Sequence, residues 1–230
     1  VYFGTGKYFD VGDKLLVGHG TGKETGINSF YGIHDNGDRI RSRRNLVKQG
    51  ILQETSFNDD LISRITSAHI VEYSTKDGWF MDLLSPSSNT HNAHHNTNKG
   101  ERVISQALLR EGRLIFTTLI PPPQNECSWE GTSWIMELGA VDGRRLDEIA
   151  FDTNNDKSFS DIDNVEYDGK SAIISGLQKT SLGGIFSAPV IISHTPRAEG
   201  KYVTGTGGSI SMFRESASRS SGRMSWRKLR

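Results

Sequence analysis

Oxygen-bearing side chains recur at alternate positions of one short segment, residues 152–163. Counted from the first, they fall at positions 1, 3, 5, 9 and 12, and a serine at position 7 would offer its backbone carbonyl. Ca²⁺ takes six to eight oxygen ligands at about 2.3–2.6 Å, and alternate residues of a tightly turning loop can converge on one point. The spacing therefore predicts a calcium site whose ligands are Asp152, Asn154, Asp156, Ser158, Ser160 and Asp163.

The segment departs from the usual calcium-loop pattern at two positions. Position 6 is Lys157, where glycine would ease the turn, and position 12 is Asp163, which is shorter than the usual glutamate. A shift of the loop by one residue would replace Ser160 with Asp161 as a ligand. Phe159, at position 8, is the expected apolar anchor. The alternative interpretation is a solvated turn between strands. No segment of helical periodicity flanks the loop, so it is not the calcium loop of a helix–loop–helix motif.

Other residues with possible chemistry carry weaker signals. His91, His94 and His95 could ligate zinc, but their Asn-, Ser- and Thr-rich surroundings favour an irregular loop. Residues 18–23 (GHGTGK) lack the spacing of a phosphate-binding loop. No nucleophile–His–Asp grouping or carboxylate pair is visible by spacing, although such groups assemble only in space.

The elements that must position these residues are short strands. Apolar runs of four to six residues, rich in β-branched or aromatic types, are punctuated by the 25 glycines. Residues 59–73 fit either an amphipathic helix or two strands. A strand ending in Gly-Thr-Gly occurs near both ends, at 1–6 and 202–208, and such recurrence suggests β-propeller blades of about 40–45 residues each. The chain is therefore predicted to be all-β.

Composition excludes several classes of protein. The 27 basic and 27 acidic residues give no net charge, so the chain is neither a broadly basic nucleic-acid binder nor a disordered polyelectrolyte. No apolar run approaches the ~20 residues of a membrane helix. The charges are segregated, because residues 140–170 carry a net charge of −5 and residues 194–230 a net charge of +6. The single cysteine, Cys127, cannot form an internal disulfide.

A further set of motifs is spread in order along almost the whole chain: residues 2–8, 29–33, 35–37, 78–83, 100–103, 114–121, 131–134, 152–163, 187–190, 201–208 and 222–227, together with Cys127. This ordered set resembles the C-terminal β-propeller region of the PilC/PilY family, the tip-associated adhesins of bacterial type IV pili. The resemblance implies a modified seven-bladed propeller with a surface calcium loop. We expect residues 1–230 to be a single domain, and a fragment lacking upstream strands.

The resemblance also implies a function. Family members regulate pilus extension and retraction through calcium occupancy, and they support surface attachment and twitching motility. The resemblance implies an exported protein at the pilus tip and cell surface of a Gram-negative bacterium, associated with the outer membrane. The implied partners are minor pilins and a host or abiotic surface. The family usually has aspartate where this chain has Ser160 and glycine where it has Lys157, and no Arg-Gly-Asp integrin motif is present.

The leading hypothesis is accordingly a non-enzymatic, calcium-responsive module of pilus biogenesis and adhesion, with no nucleic-acid partner and no membrane span. One alternative is a propeller enzyme related to quinone-dependent dehydrogenases, which would need a central cofactor. The other is a structural propeller in which calcium only stabilises a loop.

Overall fold

The chain is all-β throughout the part that the computed structural model describes, residues 1–9, 26–37, 39–40, 42–86, 96–122, 131–181 and 184–217. Two single-turn 3-10 helices, Arg43–Asn45 and Asp161–Asp163, interrupt the strands. The strands are β1 (Tyr2–Gly4), β2 (Ser29–Ile33), β3 (Val47–Gln49), β4 (Ile51–Ser56), β5 (Leu61–Thr66), β6 (Gly78–Asp82), β7 (Leu108–Arg110), β8 (Arg113–Ile120), β9 (Thr132–Gly139), β10 (Val165–Tyr167), β11 (Lys170–Ala172), β12 (Gly176–Lys179), β13 (Val190–Thr195), β14 (Ala198–Thr204) and β15 (Ile210–Ser216).

The largest sheet has six antiparallel strands in the order β4-β5-β12-β9-β8-β7. Its longest strand pair is β8–β9, which pairs from Arg113↔Gly139 to Ile120↔Thr132 and is buried along almost its whole length. A strand buried on both faces shows a continuous apolar run instead of alternation. This is why these two strands are apolar at successive positions.

A four-stranded sheet, in the order β1-β2-β6-β3, packs on one face of the six-stranded sheet. The ring centroids of Phe30 (β2) and Phe116 (β8) stack 4.1 Å apart, and Trp79 is fully buried beside them. Gly143 lies against the Trp79 ring with φ +68°, and a Cβ there would come within 2.2 Å of the ring. Glycine is therefore required at that turn.

A three-stranded sheet, β13-β14-β15, packs on the opposite face. Ile135 contacts the core on that side, whereas its neighbours Trp134 and Met136 belong to the core beneath the four-stranded sheet. Successive side chains of a strand point to opposite faces, so the six-stranded sheet is the middle of three layers. Strands β10 and β11 form a separate hairpin.

A buried ion network joins the middle and third layers. The Lys201 ammonium on β14 contacts the carboxylates of Glu137 on β9 and Glu215 on β15, and all three side chains are at most 1 % exposed. Arg113 on β8 lies 3.0 Å from the other Glu137 oxygen. Burial lowers the pKa of Lys201, against the opposing effect of Glu137.

The all-β prediction is confirmed. The ambiguous segment 59–73 forms strand β5 and irregular structure, because Leu61 and Ile65 fit the sheet's alternation. No sheet of the described part closes on itself, so the propeller and its seven blades remain predictions. The described part contains no helix long and apolar enough to cross a membrane. The histidines 91, 94 and 95, Cys127 and segment 18–23 lie outside the described residues.

Candidate metal site

The loop begins from a fixed backbone position. Residues 150–152 run antiparallel to β15, because the Asp152 N–H donates to the Arg214 carbonyl at 3.1 Å and the Ser216 N–H donates to the Ala150 carbonyl at 2.8 Å. Phe151 is 1 % exposed and belongs to the core beneath the three-stranded sheet. The apolar anchor is thus Phe151, since Phe159 is only half-buried and lies outside both core clusters.

Asp163 ties the two ends of the loop together. One of its carboxylate oxygens accepts from the Thr153 N–H at 2.8 Å and from the Thr153 hydroxyl at 3.0 Å. The other accepts from the Ser160 N–H at 3.0 Å. Asp163 is 1 % exposed, so these bonds satisfy a carboxylate that would otherwise be costly to bury. Both of its oxygens are therefore engaged within the loop.

Between these ends the chain makes tight turns stabilised by its own side chains. The Lys157 N–H donates to Asp152 Oδ2 at 3.0 Å, the Asp156 N–H to Asn154 Oδ1 at 2.9 Å, and the Ser158 N–H to Asp156 Oδ1 at 2.7 Å. Lys157 has φ +69°, in the left-handed region where a residue with a Cβ is strained by about 1–2 kcal/mol. This agrees with the expectation that glycine suits position 6.

The Asp152 carboxyl lies in an environment that disfavours its charged form. Its side chain is fully buried, and its Oδ1 has no hydrogen-bond partner among the described residues. Burial raises the pKa of the Asp152 carboxyl, and the charges of Asp163 and Asp156 raise it further, while the backbone N–H groups of Lys157 and Asn155 lower it. An unpaired buried carboxylate oxygen among like charges is a position that a cation would stabilise.

The predicted ligands are brought into one loop but not into one shell. Asp152 and Asp163 are buried, Ser160 is half-buried, and Asn154, Asp156, Ser158 and the alternative ligand Asp161 are exposed. No group of three or more His, Cys, Asp or Glu side chains placed to hold a metal occurs in the described ranges. The donors are hard oxygens that suit Ca²⁺, with Asp152 Oδ1 as the available inner ligand. Binding would require the exposed side chains to turn inward.

Arg214 is a residue of the site that sequence reasoning missed. Its Nε lies 3.6 Å from Asp152 Oδ2. It follows the loop by about fifty residues in an ordinary strand, and no local spacing marks it as a neighbour of Asp152. Thr153, a donor to Asp163, was also missed, because the loop pattern considers only side chains that could be ligands.

Comparison with solved structures identifies the class of fold. The crystal structure of the Pseudomonas aeruginosa PilY1 C-terminal domain matches 93 % of this chain with a TM-score of 0.66, at 18 % sequence identity. The match covers 40 % of that domain. At this identity the likeness establishes the fold alone: this chain has the all-β architecture of the matched part of that domain.

Sequence comparison identifies the relatives. Two type IV pilus biogenesis factor PilY1 homologues of Xylella fastidiosa (strain Temecula1) are 28 % identical over 143 residues and 30 % identical over 154 residues, which are 62 % and 67 % of this chain. The type IV pilus biogenesis factor PilY1 of Pseudomonas aeruginosa (strain PAO1) is 24 % identical over an alignment of 202 residues, and the match covers 80 % of this chain. The chain is homologous to PilY1.

The homology covers a small share of each relative. The chain spans 9 %, 11 % and 16 % of the lengths of these three proteins. No protein-family model matches the chain.

Proposed function

We propose that this chain is a calcium-responsive, non-enzymatic module of type IV pilus biogenesis and surface attachment. Homology to PilY1 supports the pilus role. The observation that carries the calcium role is Asp152, a buried carboxylate with one oxygen unpaired inside a loop of oxygen donors. The module would act at the pilus tip and cell surface, outer-membrane associated, with minor pilins and a host or abiotic surface as partners.

The proposed mechanism is thermodynamic linkage. Calcium that binds only the folded loop stabilises that state by RT ln(1 + [L]/Kd), which is about 2.7 kcal/mol at a hundredfold excess over Kd. A stabilisation of this size biases an equilibrium between two surface conformations, provided that calcium binds one of them better. In this mechanism a pilus component binds preferentially to the conformation of the calcium-bound loop.

Calcium titration by calorimetry tests the metal site. We expect the wild-type protein to bind calcium and the double variant Asp152→Ala/Asp156→Ala to lose the binding heat, because it lacks the inner carboxylate and an exposed ligand. The control is Asp59→Ala, which removes an exposed aspartate on the β4–β5 turn. Equal heats from the wild type and the double variant would refute the site.

Pilus assays in the native host separate regulation from simple loop stabilisation. If calcium regulates the pilus, the double variant changes piliation and twitching motility at a temperature where it remains folded. If calcium only stabilises the loop, the variant loses melting temperature but retains normal piliation and motility, and that result would contradict the regulatory proposal.

A further inference from the structure

The positively charged guanidinium of Arg214 lies beside the candidate metal site. Its Nε lies 3.6 Å from Asp152 Oδ2, and the two side chains are 17 % and 0 % exposed. The Nε is buried and has no hydrogen-bond partner within the described residues. The guanidinium therefore lies within ion-pair distance of Asp152 but makes no hydrogen bond through Nε.

The backbone fixes this pair in place. The Arg214 carbonyl accepts a hydrogen bond from the Asp152 N–H at 3.1 Å. The neighbouring residues Phe151 and Glu215 form an antiparallel β-bridge between the two chain segments. The first residue of the loop and strand β15 are thus joined by main-chain hydrogen bonds. The approach of the two side chains follows from strand pairing and does not depend on the conformation of the exposed part of the loop.

The two oxygens of Asp152 face different partners. Oδ2 accepts the Lys157 N–H and lies beside Arg214, whereas Oδ1 has no partner in the described structure. A metal ion on Oδ1 and the guanidinium near Oδ2 would share one carboxylate. Two cations on a single buried carboxylate repel each other, and burial leaves that repulsion poorly screened by salt.

We propose that Arg214 competes with calcium for the Asp152 carboxylate. In this role it lowers the calcium affinity of the loop and is displaced from Asp152 when calcium binds. The inference rests on the proposed calcium site. Because Arg214 belongs to β15, its displacement would couple calcium binding in the loop to the three-stranded sheet, the third layer of the fold. The loop would then respond to calcium at a higher concentration than its ligands alone would set.

Calorimetry on charge-changing variants tests this role. We expect Arg214→Gln to lower the Kd for calcium by about three- to tenfold, the range expected from removing a partly buried ion pair. Arg214→Lys, which keeps the charge, should bind calcium with an affinity close to that of the wild type. The control Arg197→Gln changes an exposed arginine on the β13–β14 turn of the same sheet and should leave the Kd unchanged.

The outcomes distinguish the two proposals. If the wild-type protein takes up no calcium, the calcium site itself fails, and the competitor role fails with it. If the wild type binds calcium through Asp152 but Arg214→Gln binds with the same or lower affinity, only the role of Arg214 is overturned.

A second readout does not depend on the folding of any variant. In the ¹⁵N-labelled wild-type protein, the Arg214 Nε–H resonance should shift on calcium addition and exchange faster with water, because the guanidinium leaves its buried position. The Arg197 Nε–H resonance is the internal reference. An Arg214 resonance that is unchanged at calcium saturation would contradict the displacement.

Discussion

Individual residues of the loop divide into two roles that the sequence pattern does not separate. Asp163 accepts three hydrogen bonds and closes the loop, whereas Asp152 keeps one oxygen unpaired. Both are aspartates at positions where calcium loops have acidic ligands, so the spacing predicts the same role for both. Asp163 therefore serves to close the loop, whereas Asp152 is the one of the two with an oxygen left for the proposed metal.

Asp82, at the end of β6, allows a test of electrostatics away from the loop. Burial alone would raise the pKa of its carboxyl, but hydrogen bonds from Ser29 and Arg43 and the charge of Lys48 lower it overall. A carboxyl whose folded-state pKa is lowered contributes stability above its unfolded pKa of about 4, and this stability is lost as the pH falls through the folded-state pKa.

We therefore expect Asp82→Asn to destabilise the protein by about 1 kcal/mol at pH 7, since Arg43 and Lys48 are partly exposed and their charges are screened. The difference from the wild type should shrink as the pH falls below about 4 and through the lowered folded-state pKa of Asp82. Urea unfolding at pH 7, 5 and 3 measures it, with the exposed Asp59→Asn as control. A difference that does not vary with pH would contradict this account.

At the scale of elements, close contacts between sheets depend on particular turns. The turn after β9 brings Gly143 against the Trp79 ring of the four-stranded sheet. Gly169, in the β10–β11 turn, has the same φ of +68° but nothing within 4 Å of where its Cβ would lie. The two glycines share a backbone conformation and differ in packing, so they form a matched pair.

Alanine substitution separates these two effects. Gly169→Ala should cost about 1–2 kcal/mol, the strain of a left-handed residue with a Cβ. Gly143→Ala should cost more, by about 1–3 kcal/mol, because the new methyl group overpacks the core against Trp79. The free energy of unfolding from urea titration measures both. Equal losses would mean that the Trp79 contact relaxes without cost.

At the scale of the whole molecule, the third layer attaches through apolar packing and the buried ion network around Lys201. Glu137 retains Arg113 as a partner, but no group other than Lys201 is paired with Glu215 in the described structure. Removing one member of a buried ion pair is costly because the other is left as an unpaired buried charge.

Lys201→Met is therefore expected to destabilise the protein by about 3–5 kcal/mol. The double variant Lys201→Met/Glu215→Leu should be less destabilised than Lys201→Met alone, because it also removes the carboxylate that lost its partner. Thermal and urea unfolding of the wild type, both single variants and the double variant give the coupling energy. Additive effects would contradict a paired network.

The sequence by itself determined the all-β class and the oxygen-rich loop at residues 152–163. These are local properties, because strand periodicity and donor spacing are written within a few neighbouring residues. Phe159 shows the limit of local reasoning: its position in the loop predicted an anchor, but the pairing of residues 150–152 with β15 gives that role to Phe151.

Only the tertiary structure decided which distant charges meet. Arg214 reaches Asp152, and Lys201 joins Glu137 to Glu215, through pairings of strands far apart in the chain. No short-range pattern specifies such contacts, because strand order and register depend on how the whole set of apolar faces is buried together. The oxygen donors of the loop are thus readable from sequence, whereas the approach of the Arg214 guanidinium to Asp152 is visible only in the fold.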